Sequence, residues 1–135
     1  MKYQIMVIED HPAIRTIYRE MIARTSNLQV GAEASTAAEA LASLAEQCPD
    51  LILLDIVLPD KSGLELLRQI KAFCPQLPVL VVSGEDPHVY EPLALRAGAS
   101  GYIDKIDVGE LLIATILEQL GEVKDASPDQ ILSSR

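Results

Sequence analysis

The chain has no tryptophan, one phenylalanine and two cysteines among its 135 residues, and its basic residues number 11 against 20 acids. Each scarcity closes off a class of function. A net charge of -9 repels phosphate backbones and anionic membranes, so this piece is not expected to bind nucleic acid by itself or to lie on a membrane. No apolar run approaches the roughly 18 residues that a membrane span needs, and the N-terminus lacks a basic segment followed by a long apolar core, so a cytoplasmic location is expected. Cys48 and Cys74 each precede a proline and form neither a CxxC pair nor a Cys/His cluster, which reads as two free thiols. With no GxxxxGK[ST] and no GxGxxG, the two common nucleotide cradles are missing. No internal repeat or low-complexity block is present.

What is there is apolar: hydrophobic residues make up 49% of a chain long enough for one full core and too short for two. Leu51, Ile52, Leu53 and Leu54 form an uninterrupted run that ends on Asp55, as a strand buried on both faces with one acid at its tip would. Three other runs end in the same manner. Tyr3 to Ile8 stops at Glu9 and Asp10, Val79 to Val82 stops at Ser83, and Gly101 to Asp104, which carries Tyr102, delivers Lys105. Leu28 to Ala34 is weaker, with Gly31, Gln29 and Glu33 inside it, and suits an edge strand.

Helical patterns fill the gaps. Pro12 suits a first helical turn, and Ile14, Ile17, Tyr18, Met21 and Ile22 recur at helical spacing. Thr36 and Glu39 form a capping box for a helix to about residue 47. Leu64, Leu67 and Ile70 mark another helix, ending before Pro75. Pro92 predicts that the next helix begins near residues 89 to 91 and stops at Gly98. Val108 to Leu120 closes the domain; Val108, Leu111, Leu112, Thr115 and Ile116 are expected to face the core, whereas Ile113, Leu117 and Leu120 extend the apolar arc past the ~100° stripe of a surface helix. That excess predicts self-association through this helix.

Five strands alternating with five helices imply a doubly wound, three-layer α/β sandwich with a five-stranded parallel sheet of order 2-1-3-4-5. Glu9, Asp10 and Asp55 then share the crevice at the switch point. Two unit charges about 4 Å apart cost roughly 4 kcal/mol at an effective dielectric near 20, so a cation is required. All-oxygen ligands favour Mg²⁺ or Mn²⁺. A carboxylate facing such an ion, the Lys105 ammonium and the Ser83 hydroxyl is arranged to accept a phosphoryl group, with Asp55 as nucleophile. His11 reads as a polar residue at a helix start and not as a ligand.

Taken together, Glu9-Asp10, Asp55 followed by Pro59 and Gly63, Ser83-Gly84, and Lys105 after aromatic Tyr102 resemble the receiver domains of two-component response regulators, over residues 1–121. Glu9-Asp10-His11-Pro12 and the stretch from Arg96 to Tyr102 resemble the NarL/FixJ (LuxR-type) subfamily, transcription regulators with a helix-turn-helix output domain. The resemblance implies a flavodoxin-like fold and a signalling switch, not an enzyme with a diffusible substrate. It also implies that a histidine kinase is the phosphoryl donor to Asp55 and that the phosphorylated form is a homodimer. The metal falls to Asp10, with Glu9 assisting, Asp55, and the backbone carbonyl of Val57. Ser83 reads the phosphoryl group, and Tyr102 turns inward when it does. Glu9 stands where many members have Asp, and Ile106 follows Lys105 where many have proline, so a trans Lys105–Ile106 peptide is expected. The alternatives are a stand-alone single-domain regulator and a receiver-like scaffold that is never phosphorylated.

Residues 122–135 read as a polar linker, Glu122 to Gln130, followed by Ile131-Leu132-Ser133-Ser134-Arg135. Leu132-Ser133-x-Arg135 resembles the opening of the helix-turn-helix domain in this subfamily, which predicts that the domain binding DNA lies beyond this chain.

Overall fold

A computed structural model describes residues 1–121 of the chain; the expected linker and helix-turn-helix start at 122–135 lie outside the described residues. Strands β1 (Tyr3–Ile8), β2 (Leu28–Ala34), β3 (Leu51–Leu54), β4 (Val79–Ser83) and β5 (Gly101–Asp104) alternate with helices α1 (Pro12–Ala23), α2 (Ala37–Glu46), α3 (Gly63–Phe73), α4 (Pro87–Arg96) and α5 (Val108–Gln119). The strands form one parallel sheet in the expected order β2-β1-β3-β4-β5.

Side chains alternate across each strand, so the central runs serve two cores. Met6, Ile8, Ile52, Leu54, Val79 and Val81 pack with α2, α3 and α4 through residues such as Leu44, Leu66, Ile70 and Ala94. Ile5, Val7, Leu51, Leu53, Leu80 and Val82 pack with Tyr18 and Ile22 of α1 and with Val108, Leu112 and Ile116 of α5. All four β3 side chains are buried, and each such leucine or isoleucine contributes about 1.5–3 kcal/mol of burial. This double anchoring holds the tip of β3, and therefore Asp55, in one place. At the sheet edge, Ile5 pairs with Val30 and Met6 with Ala32, so Gly31 is skipped as a bulge.

Local signals set the helix starts. Pro12 opens α1. Ser62 accepts a hydrogen bond from the Leu64 N–H at 3.1 Å to begin α3. Thr36 Oγ1 accepts from the Glu39 N–H, but Glu39 reaches back to the N–H and hydroxyl of Ser35, one residue before the cap. A second acid completes that helix end: Asp60, in the loop after β3, accepts from the N–H groups of Ala37 and Ala38 at 2.8 and 3.0 Å. Those bonds hold its carboxyl below the usual range, so its stabilisation is present above the ordinary carboxylate pKa and is lost as pH falls through the depressed one. Asp60→Ala is expected to lower the melting temperature by a few degrees at neutral pH, with the difference vanishing in acid; an equal difference at both pH values would refute the charged cap.

Three sequence expectations are corrected. Helix α4 begins at Pro87, not at 89 to 91, because Asp86 caps the His88 N–H at 3.0 Å and Pro87 takes the first turn. Pro92 then lies inside the helix, which forgoes one backbone bond there. On α1, Ile17 is 50% exposed while Ile14 and Met21 flank the core. On α5, Leu111 is 43% exposed, whereas Ile113, Leu117 and Leu120 pack against the core. The row Val108, Leu112, Ile116, Leu120 advances about 40° per step around the helix, which carries the buried face toward 113 and 117 and away from 111. Charges placed at Ile113 and Leu117 would therefore damage the core, and Leu111 is the large apolar side chain that α5 shows to solvent. No peptide bond among the described residues is cis, so the Lys105–Ile106 bond is trans as expected.

Candidate functional site

Four parallel strands deliver their last or next residues to one edge of the sheet. Glu9 and Asp10 follow β1, Asp55 follows β3, Ser83 ends β4, and Lys105 follows β5. Glu9, Asp55 and Ser83 are buried, although all three are polar or charged. Burying ionised groups is costly unless they are paired, and the pairing here converges on one ammonium. Lys105 Nζ donates to Asp55 Oδ2 at 3.2 Å and lies 3.1 Å from Glu9 Oε1.

The other side of Glu9 is held by α1. The backbone N–H of His11 donates to Glu9 Oε2 at 3.2 Å, His11 Nδ1 lies 2.8 Å from the same oxygen and 3.2 Å from Asp10 Oδ1, and Arg15 Nη1 donates to the Glu9 carbonyl at 2.8 Å. Burial pushes the Glu9 carboxyl up, but the His11 contacts and Lys105 outweigh it and hold Glu9 below its ordinary range. Hydrogen bonding to Glu9, with the charge of Asp10, raises His11. Asp55 goes the other way: burial and the Glu9 charge raise it, against the opposing pull of Lys105 and of the Val57 N–H, which donates to Asp55 Oδ1 at 3.3 Å. The ammonium of Lys105 is held on its proton by Asp55 and Glu9 despite burial. Behind them, the Tyr18 hydroxyl is buried without a hydrogen-bond partner; burial and the charges of Glu9 and Asp55 keep it a neutral phenol.

Ser83 Oγ accepts from the Glu85 N–H at 3.0 Å, and Tyr102 donates its hydroxyl to the Glu85 carbonyl at 3.2 Å. Tyr102 is half-buried against the first core. It therefore latches the loop between β4 and α4, next to Ser83.

A divalent cation fits this crevice. Glu9 Oε1 and Asp10 Oδ1 are buried without a directed hydrogen bond, and one donor atom from each of Glu9, Asp10, His11 and Asp55 lies within 4.8 Å of the others. Three carboxylates packed this closely are balanced only in part by Lys105 and His11, and a carboxylate set suits Mg²⁺ or Mn²⁺. Every side chain expected from the sequence, Glu9, Asp10, Asp55, Ser83, Tyr102 and Lys105, is thus brought to one end of the sheet. Three contributors were not foreseen: His11 as a partner of both acids, Arg15 as a clamp on the Glu9 backbone, and Tyr18 behind Asp55. His11 carried a usable signal, since it directly follows the acid pair. Arg15 and Tyr18 carried none, because each looks like an ordinary helix residue.

The chain is similar to known proteins in sequence and in fold. The family described as response regulator receiver domain matches residues 5–116. A Pseudomonas aeruginosa protein described as a transcriptional regulator is 38% identical over 82% of this chain and 54% of its own length. The response regulator protein VraR of Staphylococcus aureus is 36% identical over 78% of this chain and 50% of its own length. The chain thus spans about half the length of these curated relatives. Among solved structures, a two-component response regulator of the LuxR family from Aurantimonas sp. SI85-9A1 superposes with a TM-score of 0.81 at 34% identity, covering 90% of this chain and 87% of that one. Matched by the family over residues 5–116 and by a relative 38% identical over most of its length, this chain belongs to the response regulator receiver domain family.

Proposed function

We propose that Asp55 accepts a phosphoryl group from a phosphohistidine of a histidine kinase, and that this is the input of a cytoplasmic two-component switch. The observation that carries the reading is the buried Asp55 carboxylate, 3.2 Å from the Lys105 ammonium and within 4.8 Å of donor atoms of Glu9 and Asp10. An Asp55 oxygen attacks phosphorus in line, the bond to the donor nitrogen breaks with its electron pair, and an acyl phosphate remains. Lys105 moves from the carboxylate to a phosphoryl oxygen, and the Ser83 hydroxyl takes another. Glu9, Asp10, Asp55 and the backbone carbonyl of Val57 would hold Mg²⁺, which supplies the charge that lets one anion approach another.

The downstream half of the reading rests on the same residues. Ser83, once drawn to the phosphoryl group, pulls on the loop that Tyr102 latches through Glu85; Tyr102 turns inward and reshapes the α4–β5–α5 side. Phosphorylation then drives homodimerisation. Residues 1–121 are the receiver unit. The output is binding of DNA by a further domain, a reading supported by the relatives' greater length, by the description of one as a transcriptional regulator, and by the acidic charge of this part.

The test uses Mg²⁺ and acetyl phosphate, followed by intact mass measurement and light scattering. The protein should gain the mass of one phosphoryl group, lose that gain when EDTA is present, and scatter light as a dimer only when phosphorylated. Absence of any gain, or a gain indifferent to the chelator, would remove the reading. In the same buffer without phosphodonor, Mg²⁺ should raise the melting temperature by linkage to the folded state, and Asp10→Asn should abolish most of that rise.

A further inference from the structure

Cys48 and Cys74, separated in the sequence, meet in the fold with their sulfurs 3.7 Å apart. Two local rules put them there. Cys74 is the C-cap of α3 and Cys48 directly follows Gln47, the C-cap of α2. Each precedes a proline, which disfavours helical geometry just where its helix stops. Helices α2 and α3 pack side by side on one face of the sheet, so their ends bring the two thiols together. The place is the beginning of β3 and β4, the opposite end of those strands from Asp55 and Ser83.

We infer that Cys48 and Cys74 are a dithiol pair that oxidises reversibly to an intramolecular disulfide, a modification site at the end of the sheet remote from the phosphoryl chemistry. A disulfide needs its sulfurs about 2.05 Å apart, so the pair must close by less than 2 Å. That distance is within reach of side-chain rotation and of the exposed 47–50 turn, which carries Cys48. Access is open: both sulfurs line a shallow surface depression with Phe73 and Pro75, and Cys48 is exposed while Cys74 is half-buried. No His, Asp or Glu among the described residues joins them to make a three-ligand metal set, which leaves redox chemistry as the use of the contact.

The oxidant is a hydroperoxide. One thiolate attacks its outer oxygen, the O–O bond breaks, and the departing alkoxide or hydroxide takes a proton, leaving a sulfenic acid. The second thiolate attacks that sulfur, the S–O bond breaks, and hydroxide leaves as water. In sum, two thiols and one hydroperoxide give a disulfide, an alcohol (water, in the case of hydrogen peroxide) and a water. Burial and the neighbouring sulfur raise the Cys48 thiol, so oxidation accelerates as pH rises. Disulfides in reducing compartments are usually transient or redox-sensing, and a thiol such as dithiothreitol or glutathione restores the pair by exchange. Oxidation would tie the ends of α2 and α3 to each other directly before two central strands. The proposal does not depend on the role of Asp55.

The test treats the reduced chain with hydrogen peroxide and measures intact mass, non-reducing gel mobility and the peptide map. The expected result is loss of two hydrogen atoms in a monomer, a Cys48–Cys74 cross-linked peptide, and full reversal by dithiothreitol. Cys48→Ser and Cys74→Ser, which remove one sulfur each, should instead gain oxygen or link two copies. Wild-type protein that gains oxygen, or links two copies, as the single-serine variants do would overturn the inference.

Discussion

Asp55→Asn should take up no phosphoryl group, and in metal-free buffer it should melt at a higher temperature than the wild-type chain. The first half follows from removing the nucleophile. The second follows from what Asp55 costs the fold. Its side chain is only 4% exposed, and burial together with the Glu9 charge raises its carboxyl above the ordinary range despite Lys105. For an acid whose folded pKa is raised, the unfolded chain releases the proton more readily. The ionised group therefore destabilises the fold at neutral pH, and the penalty is relieved as pH falls from the raised value toward the ordinary one. Asparagine keeps the shape, removes the charge, and leaves Lys105 still paired with Glu9 at 3.1 Å. A higher melting temperature is expected near neutral pH, and the gain should shrink in acid. Glu9 works in the opposite sense: its lowered pKa contributes stability above the ordinary carboxylate range that is lost as pH falls. Adding Mg²⁺ should reverse the ranking, because the intact acid set gains more from the ion than the variant does. A variant that melts lower than wild type without metal would show that the Lys105 pairing outweighs the repulsion.

Much of this arrangement was legible because the strands are short, apolar and end on chemistry. Leu51 to Leu54 followed by Asp55 could be read as a buried strand with an acid at its tip, since no amphipathic alternative fits four consecutive apolar residues. Once four such runs ended in complementary groups, the parallel topology placed those groups at one edge. The switch-point order brought Glu9, Asp10 and Asp55 into one crevice. Readings that depended on which side of a helix is buried were weaker. Ile17 and Leu111 fit an apolar stripe but face solvent, because a periodic pattern gives the width of the stripe and not where its centre meets the sheet. The start of α4 was misplaced because Pro92 suggested a boundary, while Asp86 and Pro87 formed a stronger one. Contacts between residues distant in sequence were out of reach: Asp60 capping α2, and Cys48 meeting Cys74, depend on how crossover helices lie side by side.

Gly63→Ala should be the most damaging glycine-to-alanine change among the described residues, although an alanine is ordinarily welcome in a helix. Gly63 is the first residue of α3, and its N–H donates to the Ile56 carbonyl at 2.6 Å. One residue in on each side, Val57 and Ser62 form an antiparallel bridge. These pairings fold the loop after β3 back onto its own start, so the backbone of Gly63 presses directly on the backbone that carries Asp55. A Cβ at Gly63 would overlap the Asp55 carbonyl oxygen and stand 2.6 Å from Ile56 Cα and 2.8 Å from the Ile56 carbonyl oxygen. None of these atoms belongs to a side chain that can turn away. Either the loop opens, displacing Asp55 and the Val57 carbonyl, or the helix start is lost. Overpacking against fixed backbone puts the expected cost at about 3 kcal/mol or more, which lowers the melting temperature by roughly 10 °C. Gly109→Ala supplies the contrast: a Cβ there meets nothing within 4 Å, and alanine in the exposed part of α5 should stabilise by about 0.5–1 kcal/mol. Urea denaturation of both variants beside wild type reads the two signs together. Any Gly63→Ala protein that remains folded should also phosphorylate more slowly, since the methyl group acts on the peptide that aims Asp55. A Gly63→Ala chain as stable as wild type would mean that this loop yields at little cost, and the close approach of α3 to the tip of β3 would then have no part in holding the acceptor in place.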